Sequence, residues 1–225
     1  MGQGISEVLP FAVGVAIVPV PIIAVILMLF SQRARINGPL FVLAWIVGLT
    51  VVFAVVYALA DAGDVDTDST TSDTVSWGKI VLGVLLLLMA ARTWRSRPAP
   101  GASAELPKWM KGIDDLAPVK AFGLGFALCA LNPKNLILVI GAAAGVAQLG
   151  LETSDALVAL VVFVLVASLS VLAPVAYFFA GGDKAKQSLD ELKAWLGANN
   201  AAVMAVLLLV FGVLLVSKGL GPLTA

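Results

Sequence analysis

The sequence predicts an all-α membrane protein of six transmembrane helices, built as two inverted three-helix repeats whose first and fourth helices are broken at proline motifs. Three observations carry this reading. Sixty per cent of the 225 residues are hydrophobic, 12 per cent are charged and mean hydropathy is +1.04, far from the mix of a soluble domain. The apolar residues fall into six runs close to the ~20 residues that a helix needs to cross a bilayer core. The first and fourth runs each hold an early proline break followed by a long aliphatic half. The runs are continuous and rich in Leu, Val and Ala, without the ~10-residue alternation of a membrane barrel.

The first run spans residues 8–30. Residues 1–6 before it carry no basic side chain and no small-residue cleavage site follows, so a cleaved signal peptide is not expected. The match of this end to the loose myristoylation pattern conflicts with the orientation derived below. The second run is 40–60, and the third, 77–91, is bracketed by Trp77 and Trp94, amphipathic rings that favour the two membrane interfaces. A Pro/Gly/Ser-rich connector, 96–103, follows. Leu106, Trp109, Met110, Ile113 and Leu116 then recur at helical spacing among charges, which predicts a short amphipathic helix on the inner leaflet, with solvated linker as the alternative. The remaining runs are 119–147, 156–180 and 201–217, and before the last a second amphipathic stretch, Leu189, Leu192, Trp195 and Leu196, predicts another short helix on the inner leaflet, again with solvated linker as the alternative. The chain therefore divides into a first repeat over 1–94, a linker over 95–117 and a second repeat over 118–225. Three spans, an odd number, separate the two breaks, so the repeats run oppositely through the bilayer, as in many secondary transporters.

Basic residues set the orientation. Arg33 and Arg35, then Arg92, Arg95, Arg97, Lys108 and Lys111, then Lys184, Lys186 and Lys193 follow alternate spans and mark the cytoplasmic side. Asp61, Asp64, Asp66, Asp68 and Asp73, then Glu152 and Asp155, mark the other. Both termini are expected outside, in the plasma membrane. The acidic segment 61–73 is either an outer gate or a disordered loop.

Chemistry concentrates at the breaks. Asn is a preferred N-cap and Pro a preferred first helical residue, so Asn132-Pro133 spells a helix start in mid-run. Pro21, two residues after Pro19, is expected to start the second half of the first helix likewise. Two half-helix N-termini then converge near the bilayer centre and favour an anion. Lys134 adds a cation roughly 20 Å from either membrane face, too deep for its stem to reach water. No carboxylate lies at that depth, since Glu7 and Asp61 are near the outer boundary. Pro19, Pro21, Asn132, Pro133, Lys134 and Asn135 are the candidate transport residues. Thr50, Tyr57, Ser168, Ser170 and Pro174 are secondary candidates, for which helix packing is the competing reading. Gly141 and Gly145 have the small-residue spacing of close helix approach.

These motifs resemble a known family. Residues 19–30, then Arg33, Arg35 and Asn37-Gly38, then Asn132-Pro133-Lys134-Asn135-Leu136 look like the GAP family of peptidoglycolipid, or glycopeptidolipid, addressing proteins, grouped with the LysE (lysine exporter) superfamily. The resemblance implies a six-span export protein acting on small amino acid-like solutes or on cell-envelope glycolipids, with Pro19, Pro21 and 132–135 carrying the transport role.

The inventory excludes other chemistries. There is no histidine, one cysteine (Cys129) and no phosphate-binding glycine loop, so zinc proteolysis, histidine-dependent hydrolysis and ATP hydrolysis within this chain lack parts. No enzyme activity, cofactor, metal or nucleic-acid partner is expected. Expected partners are membrane lipids and the transported solute or glycolipid, with a homo-oligomer or a larger lipid-export complex as the assembly. Proton carriers in membranes are commonly buried acids, and none is evident, so an accessory or scaffold subunit of a lipid-export complex is the alternative function.

Overall fold

The computed structural model describes residues 2–63, 69–97, 113 and 115–224. Seven helices account for the described secondary structure: α1 (Gly2–Ile17), α2 (Pro19–Phe30), α3 (Ala34–Gly63), α4 (Ser69–Arg95), α5 (Pro118–Ala130), α6 (Pro133–Ala147) and α7 (Thr153–Thr224). The apolar runs became helices because a chain without water to hydrogen-bond its backbone must satisfy every N–H and C=O internally. α3, α4 and α7 are each long and apolar enough to cross a membrane. The pairs α1–α2 and α5–α6, bent by 50° and 60°, raise the candidate spans to five.

The fifth and sixth apolar runs lie in the two helical arms of α7, 72 residues in all, which meet at a break at Gly182. Its φ of 56° and ψ of −138° belong to backbone space that only glycine enters cheaply. The chain reverses there. The first arm starts beside Gly4, where Asp155 and Ala159 pack, and reaches Gly38 through Val175. The second arm starts with Lys193 over the Phe30 ring and returns to Gly14 through Phe211 and to Gly83 through Val216. The stretch 189–196 was expected as a separate surface helix. Instead it opens this returning arm without a break, with Leu189 and Leu196 buried and Leu192 and Trp195 exposed. Its apolar stripe is continuous in phase with the run that follows, so a single helix buries both.

The core joins both ends of the chain: Phe11 stacks on Phe211 at 5.5 Å between ring centroids, and Phe53 meets Phe163 at 5.3 Å. Asn37, wholly buried, donates from Nδ2 to the Leu116 carbonyl at 2.9 Å and ties the start of α3 to the approach to α5. Trp77 and Trp94 are both exposed, 17 positions apart on α4, or roughly 25 Å at 1.5 Å per residue, which suits rings at two interfaces. The start of α1 and the end of α7 share one end of the bundle, joined by Glu7 and Lys218. Most of the connector, including Trp109, lies outside the described residues, as do Asp64, Asp66 and Asp68.

Candidate functional site

Both proline motifs break their helices, each through its own hydrogen-bond geometry. Pro19 has no N–H for the Val15 carbonyl, which accepts instead from Val18 N–H at 3.2 Å. Val18, held at φ −60° and ψ 118°, takes the extended conformation imposed on a residue before proline. The second half therefore begins at Pro19, two residues before the expected start at Pro21. Pro21 becomes the third helical residue, and both prolines occupy positions whose N–H groups have no intrahelical acceptor.

At the second break α5 ends with Leu131 N–H on the Ala127 carbonyl at 2.9 Å. Asn132 caps α6 as expected: its side-chain oxygen accepts from Lys134 N–H at 3.2 Å. A continuous helix would have given the Leu128 carbonyl to Asn132 N–H. That carbonyl accepts from Asn135 Nδ2 at 3.0 Å instead, so Asn135 reaches back across the break and braces it. Asn135 is fully buried, and its Oδ1 has no partner among the described residues.

The two breaks meet. Val18, from the first, and Lys134, from the second, line one crevice with Leu86, Leu138, Met204 and Phe211. Its volume is about 10 Å³, room for about one water. Lys134 is half-buried and forms no ion pair among the described residues. It stands at the second position of α6, where the helix dipole is also positive. The breaks are not equally deep: Val18, Pro19 and Pro21 are buried, whereas Leu131 and Pro133 are exposed on the bundle flank.

The secondary candidates scatter. Thr50 Oγ1 donates to the Ile46 carbonyl of its own helix at 2.8 Å. Tyr57 and Ser170 are half-buried, Pro174 is buried in the first arm of α7, and Ser168 is buried with its hydroxyl unpartnered among the described residues. None of them lines the Val18–Lys134 crevice.

A second polar cluster was not anticipated. Lys218 Nζ donates to both carboxylate oxygens of Glu7, at 2.5 and 2.6 Å, and Lys79 Nζ donates to Gln148 Oε1 at 2.5 Å. These four side chains line a chamber of about 340 Å³ between α1, α3, α4, α6 and α7. Among the described residues of its lining two lysines face one carboxylate, an excess of positive charge at the end that the sequence marks with acids. Gly141 and Gly145 have their small-residue role here: the Phe11 ring rests on the first and the Glu7 carboxylate on the second, so that a side chain at either would collide. The Phe11–Phe211 stack separates this chamber from the Lys134 crevice. One signal was available in sequence: Glu7 and Lys218 are single charges at matching ends of the first and last runs.

The Glu7–Lys218 pair is part-buried, with side-chain exposures of 19% and 34%. Its loss should therefore cost between the ~0.5 kcal/mol of an exposed pair and the ~3 kcal/mol of a buried one. Glu7→Gln is expected to destabilise by about 1–2 kcal/mol on that scale, and adding Lys218→Met should recover most of the loss. Thermal unfolding of the four proteins of this double-mutant cycle checks both statements.

A family model described as Sap, sulfolipid-1-addressing protein, matches residues 8–221, a stretch that includes both breaks. No curated protein and no solved structure matches the chain.

Proposed function

The chain belongs to the sulfolipid-1-addressing protein family, and from that premise we propose that this membrane protein of lipid addressing and export moves its cargo through the place where its two broken helices meet. In this reading the protein sits in the plasma membrane as two inverted three-span repeats, with the arms of α7 on either side of Gly182 as the fifth and sixth spans and both termini outside. Its cargo is an anionic cell-envelope glycolipid, with a small polar solute as the wider class implied by the likeness to the GAP family and the LysE superfamily.

The carrying observation is that Val18 and Lys134 line one crevice. Two half-helix N-termini and a lysine without an ion-pair partner among the described residues direct positive potential at one point in an apolar wall. Such a point attracts a sulfate, phosphate or carboxylate group. At about 10 Å³ the crevice is closed, so passage requires the helices that wall it to part. The same small volume favours the second reading, an accessory subunit that positions a larger export complex and never opens.

Export from cells expressing wild type, Lys134→Met or Pro133→Ala at matched membrane abundance separates the two, scored on extracted surface lipids and released amino acids. Direct transport predicts a fall of about tenfold or more in one class for Lys134→Met, since a hydrogen bond to a charged group is worth ~1.5–3 kcal/mol. Undiminished export by both variants, normally inserted, would leave the accessory role.

A further inference from the structure

At the end of the bundle opposite the Glu7–Lys218 pair, two reversals of the chain enclose a cleft of about 570 Å³. One wall is the passage from α2 into α3, with Arg33 and Arg35, and the other is the Gly182 turn, with Lys186. Among the described residues no carboxylate lines it. The nearest acid on the α7 side, Asp183, meets Lys186 at 3.4 Å from a fully exposed position, where water screens it. Arg33 and Arg35 are exposed and form no ion pair among the described residues. The first turn of α3 opens onto the same space and adds the positive end of its dipole. Two unpaired guanidiniums and an ammonium whose one partner is fully exposed thus give the cleft a positive lining that attracts an anion.

The other half of the cleft is apolar. Phe178 and Phe179 line it, and Phe179 and Ile36 are about half exposed, so greasy surface lies directly beside the cations. A soluble anion has no use for that surface, whereas a lipid has an oxyanion and chains to match both. We propose that this cleft binds the anionic headgroup of a membrane lipid, a phosphate or sulfate ester held by Arg33, Arg35 and Lys186 with its chains along the Phe179 and Ile36 faces. The site is separate from the Lys134 crevice and does not depend on the transport reading.

The test is lipid retention by the purified full-length protein in detergent, read by native mass spectrometry after exposure to phosphatidylglycerol, to phosphatidylcholine, or to phosphatidylglycerol with excess inorganic sulfate. Wild type should retain phosphatidylglycerol over phosphatidylcholine. The triple variant Arg33→Gln, Arg35→Gln, Lys186→Gln should lose that retention by about tenfold or more. A control with the same charge change elsewhere at this end of the bundle, Arg92→Gln, Arg95→Gln, Arg97→Gln, should keep it. Arg35→Glu alone, which reverses one charge at an exposed position, should show a smaller loss and serves if the triple variant folds poorly. Equal loss in the control, or no loss in either cleft variant, overturns the proposal. Complete displacement of phosphatidylglycerol by sulfate would assign the cleft to a free oxyanion and overturn its lipid character.

Discussion

Gly83→Val is expected to destabilise the fold by about 3 kcal/mol or more. α4 lies against the returning arm of α7 backbone to backbone: a Cβ built on Gly83 would stand 2.8 Å from the Gly212 carbonyl oxygen and 2.8 Å from the Val216 amide nitrogen. The contact is reciprocal, since a Cβ on Gly212 would lie 3.0 Å from the Gly83 carbonyl oxygen. Further along, one on Gly219 would lie 2.7 Å from that of Ser76. Backbone atoms cannot swing aside as a leucine tip can, so a side chain here forces the two helices apart along much of their length. In lipid the helices have little hydrophobic drive to associate and depend on close packing, so the cost is about 3 kcal/mol or more, a large part of a typical total stability. Thermal melting and protease resistance in detergent measure it, with Val84→Ala, on the exposed face, as the unaffected control. Wild-type melting of Gly83→Val would mean that α4 and α7 do not pack in this way.

Asn135→Leu is expected to cost about 2–3 kcal/mol despite conserving volume. The Leu128 carbonyl would lose its donor in a part-buried place, where an unsatisfied acceptor carries much of the ~1–3 kcal/mol desolvation penalty, with the broken helix losing its brace as well. Asn132→Ser should lie within ~0.5 kcal/mol of wild type, because serine caps a helix about as well as asparagine. Thermal unfolding checks the contrast. Hydrogen exchange at the Leu136 amide, which donates to the Asn132 carbonyl at 2.9 Å, reports the break itself. Unchanged stability in Asn135→Leu would remove its bracing role and return Asn135 to the list of groups free to meet cargo.

Class and breaks were legible in sequence because they rest on interactions within a few residues. Helical hydrogen bonds reach four positions, and proline and asparagine act on their immediate neighbours, so the apolar runs, the Asn132 cap and the Pro133 start could be read directly. Where two local signals competed the reading slipped. Pro19 and Pro21 are both acceptable in a first turn, and only the Val18 N–H taking the Val15 carbonyl decided between them. The returning arm of α7 shows the same limit, since charges at 183–193 interrupt hydropathy without interrupting a helix.

Local patterns along the chain were enough to specify an all-helical membrane protein with two interrupted helices and a lysine at one interruption. Tertiary structure alone decided that Val18 and Lys134 share a crevice, that Glu7 grips Lys218 across 211 positions, and that Arg33, Arg35 and Lys186 surround one cleft. Burial of a charge in an apolar run is a cost that local sequence displays. The partner that offsets it is chosen by which helices pack together, and that choice rests on glycine contacts between segments far apart in the chain.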